Sequence, residues 1–375
     1  MKFDTAMPYF PDTDIKSILT QFESILKGEG MLSMGANVDK FERQFSEYVD
    51  CSYSIATASC TGALEILLMA SGVGNGDEVI IPSQTFIATA SAVVRVGARP
   101  VFCEVNNNFL LDSEKVEQYI TPKTKAVLCV HYGGLIDSSI LNLYSWLRDE
   151  NILLFEDASH AIGARIKGKS AGNISDGAAF SFYATKNMTT GEGGMITTND
   201  KKFAEQCQSL RGRGRDISSE KEIYTAIGTN QRMTEIQALM GLSQLKRLDE
   251  FVQHRGDLAE VYIDRLSSAE RNGLIGLIHV DDDIRHPYWR FVVFLKQNQD
   301  RIRIARNMAK NSIKIDWAYD PLVHLQPIIR ELYGTKEGML PYSENLARTH
   351  VCLPIHVGID ADAAEFISEC LINEL

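Results

Sequence analysis

The chain has 375 residues, and its 38 Lys and Arg against 49 Asp and Glu give a formal net charge of −11. A composition of 45% hydrophobic and 23% charged residues excludes disorder and fibrous repeats and leaves room for two or three globular domains. The acidic balance argues against nucleic acid as a partner, because phosphate neutralisation needs clustered Lys and Arg. An anionic ligand has to meet a local basic cluster instead.

The opening MKFDTAMPYFPDTDIKS has no apolar h-region, so no secretory signal is expected. No apolar run reaches the roughly 18 residues of a membrane span, so no membrane is expected either. The seven cysteines are scattered without CxxC spacing, which predicts reduced thiols in a cytoplasmic protein and no metal site. From Asp77 to Thr198 short apolar runs alternate with helical patterns. DEVIIP, RPVFCEV, TKAVLCVH, ILLFED, AAFSF and GMITT predict strands, while ATASAVVRVG, DSEKVEQYI and SILNLYSWLRDEN predict amphipathic helices between them. This alternation predicts an α/β fold with a mostly parallel sheet and ligands beyond the carboxyl ends of its strands.

After Lys201 the pattern turns helical, and RMTEIQALMGLSQLKRLDEFVQHRGDLAEVYIDRL is long enough to span domains. YWRFVVFL predicts a strand, DRIRIARNMAKN a helix and DAAEFISECLINEL a closing helix. The expected division is a large domain over residues 1–246, with an N-terminal arm, and a smaller α+β domain over 247–375. The helix after Asn230 carries Ile236, Leu239, Met240, Leu242 and Leu245, more apolar surface than one stripe needs. Part of it is therefore expected to meet a partner.

Four short segments look chemical. Ser59-Cys60-Thr61-Gly62 turns into a helix pattern, where free amides and the helix dipole suit a phosphate, or where Ser59 or Thr61 is simply a cap. Asp157 and His160, in FEDASH, follow an apolar strand; a carboxylate there suits a protonated heterocycle nitrogen, or a plain helix cap. Lys186 lies in SFYATKNMTTGEGG, a Ser/Thr/Gly-rich loop; a lone loop lysine is by default solvated, but the near absence of other charge weakens that reading, and a desolvated amine loses its proton and can form a Schiff base. Ser181 lies five residues earlier, placed for a hydroxyl contact to the same phosphate. GTNQRMTE precedes the long helix and reads either as a polar clamp on an anion, with Asn230 and Arg232 as its candidate groups, or as a plain cap at Thr229 or Asn230 with Arg232 in a surface ion pair. Arg211, Arg213 and Arg215 alternate with Gly, so their side chains are expected either to gather on one anion or to form ordinary surface ion pairs.

Taken in order and spacing, these segments resemble the DegT/DnrJ/EryC1/StrS family, the pyridoxal-phosphate sugar aminotransferases of fold type I. The similarity runs nearly end to end and includes GMLSMGANVDKFERQF, PSQTFIATASAVVRVGARPVF, PLVHLQP and CLPIH. The resemblance implies a mostly parallel seven-stranded sheet, pyridoxal 5'-phosphate as cofactor, and a homodimer with shared active sites. Lys186 would be the Schiff-base lysine and proton shuttle, and Asp157 would hold the pyridinium nitrogen protonated. Phe86 would stack on the cofactor ring, His160 would contact its phenolic oxygen, and Ser181 with the Cys60 and Thr61 amides would take the phosphate. Asn230 would reach a phosphate in the neighbouring subunit. Arg213, Arg232 and His324 are candidate substrate contacts. Cys60 stands where the family usually has Gly, and Arg213 replaces a more usual His.

The implied reaction moves an amino group from L-glutamate to a nucleotide-linked keto-deoxy sugar, in amino-sugar biosynthesis for a surface polysaccharide such as O-antigen or for a glycoside. Alternatives are an acceptor such as a keto-inositol, and a pyridoxamine-phosphate keto-sugar dehydratase, which Lys186 disfavours because those relatives carry His there. A non-enzymatic regulator on the same fold would lack the lysine or the Asp, or add a DNA-binding segment.

Overall fold

The computed structural model describes residues 2–296 and 299–375. Helices α1 (Asp12–Ser24) and α2 (Ala36–Val49) lead into strand β1 (Tyr53–Thr57) and helix α3 (Cys60–Ala70). Then follow β2 (Glu78–Pro82), α4 (Ile87–Arg95), β3 (Arg99–Cys103), β4 (Thr124–Val130), α5 (Ser139–Asp149) and β5 (Leu153–Asp157). A small hairpin, β6 (Arg165–Ile166) and β7 (Lys169–Ser170), precedes β8 (Gly177–Ser181), β9 (Gly194–Thr198) and α6 (Lys201–Arg211). The large sheet has seven strands in the order β1-β9-β8-β5-β4-β2-β3. Pairing is parallel from β3 through β8, and β9 runs antiparallel to both β8 and β1.

The strands are apolar throughout, and their period of two deals successive residues to two cores. Ile80, Val127, Leu154 and Ala178 face a core closed by Phe41 and Phe45 of α2 and Leu143 of α5. Their neighbours Val79, Leu128, Phe155 and Ala179 face the other core, closed by Leu64 of α3, Val93 of α4 and Leu210 of α6. The alternation legible in the sequence is thus a three-layer sandwich, and the functional loops leave its carboxyl edge.

Helix α7 (Glu235–Leu245) starts with a capping box in which Thr234 and Gln237 exchange side-chain and backbone hydrogen bonds. The long helical stretch breaks at Lys246–Arg247, and α8 (Leu248–Arg271) begins anew. Leu248 and Val252 of α8 still pack in the first core, whereas Leu258, Tyr262 and Leu266 pack in a third. That third core lies under the sheet of β10 (Ile275–Leu277), β12 (Phe291–Leu295) and β13 (His350–Leu353), with α9 (Arg301–Lys310) and α12 (Ala361–Ile372) on it. The short β11 (Ile284–Arg285) pairs with β6 and joins this region to the β6–β7 hairpin in a separate three-stranded sheet. Helices α10 (Pro327–Tyr333) and α11 (Pro341–Arg348) lie between α9 and β13. Ile329 of α10 packs on the α3–α4 core, and Phe3 packs in the third core, so segments from both parts of the chain cross between the cores.

Three expectations need correction. DSEKVEQYI forms only a 3-10 turn over Ser113–Tyr119 with Val116 buried, because Pro122 follows at once. Strand β1 was not among the expected strands, being a short edge strand paired only with β9. The apolar face of α7 is covered in part by the chain itself: Leu239 is buried, and Ile236 and Met240 are half-buried, against Phe10, Ile18, Phe22 and Ile25 of the N-terminal segment.

Candidate active site

A cavity of about 560 Å³ opens at the carboxyl edge of the large sheet. Cys60, Thr61, Phe86, Asp157, Ser181 and Lys186 all line it. The sequence explains locally how each gets there.

Ser59 is the cap of α3: its Oγ accepts from the Gly62 amide at 3.1 Å. The amides of Cys60 and Thr61, in the first turn, have no acceptor among the described residues, so they are free for an anion. Gly194 lies directly beneath this turn, where a Cβ would come within 2.6 Å of the Cys60 nitrogen and the Ser59 carbonyl carbon. Only glycine permits that approach. Gly194 also pairs with Ser181 at the end of β8, and Ser181 lines the same cavity as Cys60 and Thr61. The donor set fits a phosphate.

Lys186 sits in the 182–193 loop, which its own threonines fix. Thr189 Oγ1 donates to the Phe182 carbonyl at 3.0 Å and Thr190 Oγ1 to the Glu192 carbonyl at 2.6 Å. Gly191 takes φ +80°, a turn that favours glycine. Met188 is buried in the core and Asn187 Nδ2 donates to the Pro287 carbonyl at 2.7 Å, so the loop is pinned from both sides. Burial, assisted by the Arg290 cation, lowers the Lys186 amine to about 7, while Asp157 opposes the shift. Its Nζ lies 4.2 Å from the centre of the Trp289 ring.

Asp157 ends β5. Its Oδ2 accepts from Thr89 Oγ1 at 2.7 Å, and its Oδ1 accepts from the Ser159 amide at 3.1 Å. Thr89 Oγ1 in turn lies 2.6 Å from Thr85 Oγ1, so a short buried hydroxyl chain orients the carboxylate. Phe86 caps α4 with a ring 52% exposed, unusual for an aromatic on a packed wall and suited to a flat ligand. His160 lies behind the lining rather than in it. Its ring stacks on Trp289 at 3.6 Å, its Nε2 is 3.2 Å from the Tyr319 hydroxyl, and its buried Nδ1 has no partner among the described residues. Burial and the nearby Lys186 and Arg290 cations push its imidazole well below the ordinary range, so it is neutral.

Other expected residues are not brought together with these. Arg232 and Asn230 are bonded to each other, Nε to Oδ1 at 2.9 Å, and neither lines the cavity of its own chain. Arg213 takes φ +75° beside Tyr224 and also lies outside the cavity. The three arginines do not gather on one anion: Arg211 is buried, donating to Glu42 at 2.5 Å and to the Ala56 carbonyl at 2.9 Å. His324 is fully buried against Glu344, with Nε2 to Oε1 at 3.1 Å, and does not reach the cavity; its side chain ties α11 to the turn before α10. Glu235 of the RMTE motif is structural too, accepting from the Gly35, Asn37 and Val38 amides at the start of α2.

The opposite wall escaped the reading of the sequence. Trp289, Arg290 and Tyr319 complete the cavity. Trp289 Nε1 donates to the Thr185 carbonyl at 3.0 Å, next to Lys186. The one available signal was Tyr-Trp-Arg, a bulky and charged triplet at the start of an otherwise apolar strand.

The family model of the DegT/DnrJ/EryC1/StrS aminotransferase family matches residues 12–372. The chain is 33% identical to the spore coat polysaccharide biosynthesis protein SpsC of Bacillus subtilis, over 98% of this chain and 95% of that one. It is 37% identical to the GDP-perosamine synthase of Caulobacter vibrioides, over 90% of each chain. Among solved structures it superposes on the putative sugar aminotransferase Spr1654 of Streptococcus pneumoniae in its PLP form with a TM-score of 0.90, at 25% identity and over 100% of both chains.

Proposed function

The chain belongs to the DegT/DnrJ/EryC1/StrS aminotransferase family and is a pyridoxal-phosphate-dependent sugar aminotransferase; from that premise we propose that it moves the amino group of L-glutamate to a keto-deoxy sugar carried on a nucleoside diphosphate. The observation that carries the reading is Lys186, a half-buried lysine whose desolvated amine is lowered to about 7, in one cavity with Asp157 and a free pair of helix-start amides. The nucleotide is supported by the likeness to GDP-perosamine synthase, and the product would serve a surface polysaccharide or glycoside.

Bound in the cavity, the cofactor supplies an aldehyde that captures amines and a ring that accepts electrons. Lys186 would hold it covalently and, once displaced by the donor's amine, carry the proton to and from the substrate carbon. Asp157, fixed by Thr89 and Ser159, would keep the ring nitrogen protonated. Ser181 and the Cys60 and Thr61 amides would hold the phosphate, Phe86 would cover the ring face, and neutral His160 would stand near the ring hydroxyl.

Asn230 and Arg232 lie outside the cavity of their own chain, which supports a homodimer in which they serve the neighbour's site. Exposed Leu26, Met31 and Leu32 on one segment, and Ile223 and Ile227 on another, give such a dimer apolar surface. Mixed dimers of Lys186→Ala and Asn230→Ala chains should regain activity through one intact site. Mixed dimers that form yet stay inactive would disprove the sharing.

The reaction is tested on the holoenzyme. L-Glutamate should bleach the visible absorbance, and GDP- or dTDP-linked keto sugars should restore it. Restoration by free keto-inositols alone would replace the nucleotide reading.

A further inference from the structure

Arg290 is a buried cation with no task in the reaction above. It stands immediately before β12, is 7% exposed, and lines the cavity. Its guanidinium stacks on Trp289, with Cζ 4.0 Å from the ring centre. A guanidinium carries five N–H donors in a fork that matches a carboxylate, and here the fork is poorly filled. Nη1 donates to the Trp289 carbonyl at 3.2 Å. Nη2 stands 3.4 Å from the Asp316 carboxylate. Nε is buried and has no acceptor among the described residues. Asp316 Oδ1 is likewise buried and unpartnered, so neither group completes the other. Unfilled buried donors are costly, and this set calls for an anion.

The position relative to Lys186 selects the anion. Lys186 Nζ and Arg290 Cζ lie 4.2 and 4.0 Å from the centre of the same indole ring. The two cations are therefore no further apart than those two distances added. An α-amino acid carries its carboxylate on the carbon that bears its amine, so an amine arriving at the Lys186 position brings a carboxylate to Arg290. A nucleotide sugar carries its diphosphate on the far side of the sugar ring from the reacting ketone. We propose that Arg290 is the seat of the amino donor's α-carboxylate, with Asp316 holding the guanidinium in place until the donor arrives. The proposal rests on the transfer of nitrogen from an amino acid.

The test uses Arg290→Gln and Arg290→Lys holoenzymes and follows the two half-reactions separately by cofactor absorbance. A charged hydrogen-bonding partner is worth roughly 10- to 100-fold in binding. Arg290→Gln should raise the glutamate concentration needed for half-saturation by about that factor. Arg290→Lys should recover part of it, and the sugar half-reaction on the pyridoxamine-phosphate form should be unchanged. Calorimetric binding of 2-oxoglutarate to the lysine-bound holoenzyme, which does not turn it over, should be lost in Arg290→Gln. A loss confined to the sugar half-reaction would make Arg290 a diphosphate seat and overturn the proposal. Equal losses in both halves would make it a support for Trp289, and no loss would leave an ion pair with Asp316 only. If Arg290→Gln fails to fold, Arg290→Lys carries the same comparison, because it also lacks the fork. A wild-type enzyme that responds to no amino acid would sink the donor reading itself, before any variant is made.

Discussion

The two walls of the cavity are built differently. The sheet-side wall carries Cys60 and Thr61 in the first turn of a helix, Asp157 and Ser181 at strand ends, and Lys186 in the loop that joins β8 to β9. The facing wall carries Trp289, Arg290 and Tyr319, which reach the cavity only through contacts formed far along the chain. The first wall holds its residues by local caps and turns, and the second by aromatic stacking on groups of the first. Substitutions on the first should therefore remove chemistry with the fold intact, whereas those on the second should cost architecture or recognition.

The largest expected effect is Lys186→Ala, with a loss of turnover of more than about 10³-fold and no change in far-UV circular dichroism. Near-wild-type turnover would show that another amine does the work. Trp289→Ala sharpens the contrast. Removing a buried indole costs about 3–5 kcal/mol, and here the ring also holds His160 and the Thr185 carbonyl. Thermal melting of the cofactor-free protein should fall markedly, while Asp157→Asn should barely move it. If the two melting points fell equally, the distinction between the walls would not hold. Asp157→Asn should instead lower the rate of the glutamate half-reaction by about 10²-fold, since an amide cannot hold the ring nitrogen's proton.

The pH dependence follows from the burial of Lys186. An ordinary lysine amine titrates near 10.4, but here the amine is lowered to about 7. Its reactive neutral form therefore grows as pH rises through 7. Cofactor capture by the stripped protein should speed up about tenfold between pH 6 and 8 and then level off. A rate still climbing at pH 10 would mean that Lys186 is solvated. The smallest effect belongs to the hydroxyl chain behind Asp157. Thr89→Val keeps the shape and removes the hydroxyl that bonds both Asp157 and Thr85; with about 1 kcal/mol lost at the carboxylate, cofactor affinity should weaken about fivefold, as measured by equilibrium dialysis.

Much of the sheet-side wall was legible because its determinants are short-range. The apolar runs of β2, β4 and β5 alternate between two cores, and a period of two is visible in any five residues. Ser59, Gly194 and the threonines after Lys186 act within a few residues or across one strand pair, so their chemistry can be read from their types. Position alone misled where side chains turn inward. Arg211 and His324 read as ligand groups, yet each finds a buried carboxylate, Glu42 or Glu344, supplied by a distant segment. The covering of α7 by α1 was hidden for the same reason, since a hydrophobic stripe does not name what it meets.

By itself, then, the sequence determined the alternation of strands and helices, the capped turn that starts α3, the carboxylate at the end of β5 and the lysine in the loop after β8. Backbone geometry and side-chain periodicity act over a few residues, and that is why those features can be read from it. Only the tertiary structure decided that Trp289 meets the lysine loop about a hundred residues before it, and that Arg290 stays short of partners beside Lys186. Those contacts come from packing one core against another, and the energy that selects them is spread over many buried side chains rather than written in any one motif.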